Sequence, residues 1–95
     1  MPKSKQTVEA ERMMTFMRVR AWGNEEWQRV IVGPYHSRWR VQHRYRAAHG
    51  RWSLLQSYIR ATREEVAAIA TEIADTLVRG GFGAVLEQSD TDAGF

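Results

Sequence analysis

Between His36 and Ala47 the chain alternates two kinds of side chain. Arg38, Arg40, Gln42, Arg44 and Arg46 fall on one parity, and Trp39, Val41, His43, Tyr45 and Ala47 on the other. A β-strand turns successive side chains to opposite faces, so a period of two describes one strand with an apolar face and a guanidinium face. Arginines two residues apart sit about 7 Å from one another and repel unless an anion faces them. The planar guanidinium fork makes bidentate contacts to phosphate and guanine that lysine does not. The chemistry on offer is therefore recognition of a polyanion rather than the making of bonds. A merely solvated strand face would mix its signs, and this strand carries no acid. The candidate site is Arg38, Arg40, Gln42, Arg44 and Arg46, with Arg18, Arg20 and Arg51 at its edges.

Other reactive residue types do not assemble in the same way. His36 and His49 lie at opposite ends of the arginine strand and His43 on its apolar parity, with no carboxylate placed to complete a metal ligand set. His43 reads as a satisfied core histidine. Glu25-Glu26 falls at a turn, where a solvated acidic pair explains it better than general acid–base work. Gly80-Gly81-Phe82-Gly83 lacks the preceding strand and following Lys-Ser/Thr of a phosphate loop, so a helix stop explains it. No serine has a plausible partner base nearby. The expectation is a protein that is not an enzyme and takes no cofactor, no metal and no small-molecule substrate.

These residues need elements to hold them. Residues 13–22 read as a first strand, with Met17, Val19 and Ala21 on one face and Arg18 and Arg20 on the other. Gly23-Asn24 signals a turn. Residues 26–32 make a second strand with ambiguous faces, because Trp27, Arg29 and Ile31 oppose Val30 and Val32. Gly33-Pro34 should end it, since proline donates no ladder hydrogen bond. The arginine strand, roughly 36–47, turns at His49-Gly50 into a partner at 51–59. There Trp52, Leu54 and Tyr58 share one parity, and Leu55 and Ile59 the other. Thr62 and Glu65 form a capping box, and Val66, Ile69, Ala70, Ile73, Leu77 and Val78 recur at helical spacing. Gly80 is placed as the C′ residue. Phe82 to Leu86 is a short apolar run suited to an edge strand or to a chain packed along the sheet. The spacing predicts an α+β fold: a small antiparallel sheet of three or four strands with one long C-terminal helix on the Trp39/Val41/Tyr45 face. The arginines are left on the open face with Arg18 and Arg20.

Ninety-five residues make one small domain. Residues 1–11 are expected as a flexible arm, 12–88 as the α+β domain, and 89–95 as an acidic disordered tail. No apolar run approaches the ~20 residues that span a bilayer, and no cysteine offers a disulfide or a thiolate ligand. Residues 1–11 lack the apolar stretch expected of a secretion signal. A protein of the cytoplasm, in a bacterial host if phage-encoded, is expected, with no membrane partner. The net charge of +3 conceals a division. From Arg12 to Arg63 eleven arginines stand against Glu25 and Glu26, whereas from Glu64 onward seven acids stand against Arg79 alone.

From Gly33 to Arg79 the order of features resembles the N-terminal arm-type, AP2-like DNA-binding domain of tyrosine recombinases (phage integrases). The residues that carry the resemblance are Gly33-Pro34-Tyr35, Trp39-Arg40-Val41, Gly50 and Thr62-Arg63-Glu64-Glu65. It implies a three-stranded sheet inserted in the DNA major groove with a helix behind it, and contacts from Arg38, Arg40, Arg44 and Arg46. This chain has Ile59-Arg60-Ala61 where that family usually carries an aromatic before the threonine, and it lacks the recombinase catalytic domain. Duplex DNA is the expected partner. Single-stranded RNA would want aromatics beside the arginines, and here Trp39 and Tyr45 lie on the opposite parity, leaving only Phe16 and Trp22 with Arg18 and Arg20. The resulting expectation is a duplex-DNA-binding module of phage or mobile-element accessory or regulatory type. The alternative is a small phage-encoded inhibitor, similar to the anti-CRISPR proteins. It would dock its arginine face on an acidic protein surface or a nucleoprotein complex and keep the acidic helix and tail as a second surface.

Overall fold

The computed structural model describes residues 14–91. Five strands and one helix follow in the order β1 (Phe16–Gly23), β2 (Glu26–Tyr35), β3 (Arg38–Ala47), β4 (Ser53–Arg60), α1 (Arg63–Arg79) and β5 (Gly83–Ser89). All pairings are antiparallel, and the strands lie side by side as β4-β3-β2-β1-β5. This is the expected α+β fold with a larger sheet: five strands rather than three or four, because the run after the helix pairs along β1 from Phe16–Ser89 to Trp22–Gly83. The expected arm, 1–11, lies outside the described residues, as does the end of the expected tail from 92. Ser89 still belongs to β5, and Thr15 N–H donates to Asp90 Oδ1 at 3.4 Å.

The β1–β2 hairpin closes through Asn24 and Glu25, at φ 51° and 62°. Two consecutive positive φ values are what a type I′ turn requires, and its twist matches that of paired strands. The β2–β3 hairpin corrects the expected stop at Gly33-Pro34, since β2 runs on to Tyr35. Tyr35 and Arg38 face each other across the turn, so the next pair, Pro34–Trp39, is of the non-hydrogen-bonded kind. The N–H that proline lacks would have pointed toward β1, whose pairing with β2 begins only at Met17–Val32. Nothing is lost there.

Helix α1 covers one face. Val66 and Ala70 pack on Met17, Val19, Val30, Val32 and Val41, with Trp39, Ile69 and Ile73 closing the sides. Valines dominate because β-branched side chains suit a pleated surface buried on one side. Thr62 caps the helix: its hydroxyl oxygen accepts from the Glu65 N–H at 3.3 Å, and its O–H donates to Glu65 Oε1 at 2.9 Å. Arg63, buried at the first helical turn, donates to Thr15 O and to Gln88 Oε1, each at 3.4 Å, tying that end of the helix to β5 and to the residue before β1. At the other end the C′ role falls to Gly81 rather than Gly80. Gly81 takes φ +95°, its N–H donates to Val78 O at 3.1 Å, and Phe82 N–H donates to Leu77 O at 3.0 Å, which together make a Schellman stop. Among the described residues no helix is long and apolar enough to cross a membrane.

Candidate nucleic-acid interface

The strand registers turn a one-dimensional stripe into rows that cross the sheet. Arg20 of β1 faces Arg29 of β2, and Arg29 faces Arg44 of β3. Three guanidiniums thus stand on neighbouring strands about 4.8 Å apart. Like charges placed directly opposite one another destabilise a sheet, so the Arg29–Arg44 pair is a local cost within the fold, while Arg20 is offset by Glu87. One row toward the β1–β2 turn, Trp22 faces Trp27 and Trp27 faces Arg46. One row the other way, Arg18 faces Ile31 and Ile31 faces Gln42. Arg40 lies opposite Gly33, and Arg38 opposite Tyr35.

Arg38, Arg40, Gln42, Arg44 and Arg46 accordingly share the open face with Arg18 and Arg20. Arg51 lies apart from the strands, exposed in the β3–β4 connection. Arg18 and Arg20 are less available than their parity implies. Glu87 of β5 accepts from Arg18 Nη2 at 2.7 Å and from Arg20 Nε at 2.5 Å. The Arg18 hydrogen bond, reinforced by that of Arg20 and by both positive charges, holds the Glu87 carboxyl below its ordinary pKa. Arg29 was missed in the sequence, where the faces of its strand were ambiguous. Burial, and after it the charges of Arg44 and Arg18, lower its pKa, although a guanidinium stays charged throughout the working range. The buried Nε atoms of Arg29 and Arg46 have no hydrogen-bond acceptor.

The open face is also aromatic: it carries Trp22 as parity implied, and it corrects the grouping of Trp52 with Tyr58. Arg29 lies 4.4 Å and Arg46 5.7 Å from the Trp52 ring centroid, and Arg40 lies 4.3 Å from that of Tyr35. Trp52 reaches this face because β4 contains a bulge. Gln56 faces His43 and Leu54 faces Arg44, so Leu55 has no partner. That extra residue separates Trp52 and Leu54 from Tyr58, which faces Val41 on the helix side. Stacking beneath guanidiniums fixes their planes while leaving their edges for an acceptor.

His43 behaves as the sequence implied. It is buried on the helix side, where its Nε2–H donates to Gln28 Oε1 at 2.5 Å and its Nδ1 accepts from Gln56 Nε2 at 2.9 Å. Tyr58 extends the chain by donating to Gln56 Oε1 at 2.9 Å. Burial lowers the His43 pKa, so the imidazole is neutral. His36 rests edge-on against Tyr35, and among the described residues no three His, Asp or Glu side chains converge as metal ligands do. Compared with known proteins, the chain matches no family model, no curated protein and no solved structure.

Proposed function

We propose that this chain is a non-enzymatic nucleic-acid-binding module that meets its ligand through the open sheet face. The observation that carries this reading is the Arg20–Arg29–Arg44 row, continued by Arg38, Arg40 and Arg46. A row of like charges that costs stability is repaid when phosphates lie along it. The stacked guanidiniums of Arg29, Arg40 and Arg46 are already ordered for that contact. Duplex DNA, in keeping with the integrase-arm resemblance, is the first ligand to try.

The test is a fluorescence-anisotropy titration against random duplex DNA at about 50 and 200 mM salt. With about five phosphates neutralised, log K should fall with log salt at a slope of roughly −4 to −5. Arg29→Ala/Arg44→Ala should weaken binding about 100-fold at the lower salt and flatten that slope by nearly two. Salt-independent binding, or none to either duplex or single strand, would reject the reading.

A second reading has one observation in its favour. The outer surface of α1 exposes Glu64, Glu65, Glu72 and Asp75, so the two sides of the molecule carry opposite signs. An inhibitor docked on a host nucleoprotein complex would use both. A partner retained in a pull-down after nuclease treatment would favour this alternative.

A further inference from the structure

The corner of the open face holding Trp22 and Trp27 differs from the arginine rows beside it. Gly23 and Glu26 close the hairpin, so Trp22–Trp27 is a non-hydrogen-bonded pair, in which side chains approach most closely. The two indoles lie 6.1 Å apart, tilted by 44°, and remain 43% and 45% exposed. The position of Trp22 is held by β5: a Cβ on Gly83 would stand only 2.8 Å from Trp22 Cε2, so the ring occupies space that a side chain would otherwise fill. Beside the pair, where the β1–β2 turn meets the tip of the β3–β4 hairpin, Trp22, Trp27, Glu25, Glu26, Ala48 and His49 line a concavity of about 520 Å³.

We propose that this corner takes an unpaired nucleobase, so that the nucleic acid carried on the arginine rows is single-stranded. The inference rests on reading the arginine face as a nucleic-acid surface. Two carboxylates and no arginine line the concavity, which disfavours a phosphate there and offers acceptors to the amino groups of a base. An exposed indole finds a π-face on every unpaired base, whereas a duplex keeps those faces stacked inside. Trp27 faces Arg46 and stands one row, about 7 Å, from Arg20–Arg29–Arg44. One strand can therefore lay its backbone on the guanidiniums and turn a base into the corner. The sequence favours a duplex because it sets only Phe16 and Trp22 beside the arginines. Trp27, Trp52 and Tyr35 join Trp22 on that face and remove the preference.

The experiment compares four labelled probes at about 50 mM salt, where phosphate contacts are strong: a mixed-sequence strand of about twelve nucleotides as DNA, the same strand as RNA, its duplex, and an abasic strand of equal charge. The strand, as DNA or as RNA, should bind at least 10-fold tighter than the duplex and the abasic strand. Trp27→Leu, a surface change that keeps apolar bulk, should remove most of that preference and leave duplex binding within about twofold. Gly83→Ala, which displaces the Trp22 ring, should do the same by a second route and decides the matter if Trp27→Leu melts early. Equal affinity for all probes, or variants without effect, would overturn this inference and leave the arginine reading standing. Failure of every probe to bind would overturn both.

Discussion

The two faces of this sheet are built on the same strands and obey opposite rules. Beneath α1, Val19, Val30, Val32 and Val41 lie side by side, and the polar side chains that intrude are paired with one another, as in Tyr58–Gln56–His43–Gln28. On the open face Arg20, Arg29 and Arg44 stand in contact register, and acceptors for the buried Nε atoms of Arg29 and Arg46 are missing. The covered face is apolar and its Tyr58–Gln56–His43–Gln28 chain closes on itself, whereas the open face is basic and, apart from the Glu87 contacts of Arg18 and Arg20, faces outward. On the proposed function, folding and recognition are divided between alternate residues of each strand.

That division can be broken from either side. The largest effect on stability belongs to the covered face. Val30→Ala removes a fully buried side chain and should cost about 2 kcal/mol in chemical denaturation, with nucleic-acid affinity of the folded protein unchanged. Arg29→Ala/Arg44→Ala should do the reverse, weakening binding about 100-fold at low salt while stability holds or rises by a few tenths of a kcal/mol, since a like-charge pair is relieved. A clear loss of stability in that variant would mean that the arginines serve the fold. Smaller still is the effect of Glu87→Gln, which releases Arg18 and Arg20 from their carboxylate partner. Affinity should rise several-fold and the salt slope steepen by about one.

The smallest effect is a pH dependence on the covered side. His43 is held neutral by burial, so its folded pKa lies below the unfolded value. The unfolded chain then takes up the proton first. The stability contributed by His43 is whole above about pH 6.5 and is lost as pH falls through the depressed folded pKa. Denaturation midpoints at about pH 7.5 and 5.5 should differ in that direction. The Glu87 contribution is lost only in more acid solution, below the ordinary carboxylate range.

Much of this architecture was legible in the residues. The period of two in β3, the Thr62–Glu65 cap and the apolar spacing of α1 each follow from local geometry, and they placed the arginines of β3 on the face away from the helix. What escaped was set by partners distant in the chain. Trp27, Arg29 and Ile31 alternate with Val30 and Val32 in a strand apolar on both parities, and only the pairing with Arg20 and Arg44 assigns their side. Glu87 meets Arg18 across 69 residues, a contact no local pattern announces. Trp52 lies beyond an irregularity that strict alternation passes over.

That irregularity also bears on how the chain can change in length. Elsewhere in β3 or β4, gaining or losing one residue turns over every side chain beyond it. Leu55 stands outside the count, since Leu54 and Gln56 already face Arg44 and His43 without it. A gene that dropped the Leu55 codon would still encode a strand with Trp52 against Arg29 and Tyr58 beneath the helix. Among descendants of this sequence, position 55 is where β4 can be shortened without altering either surface.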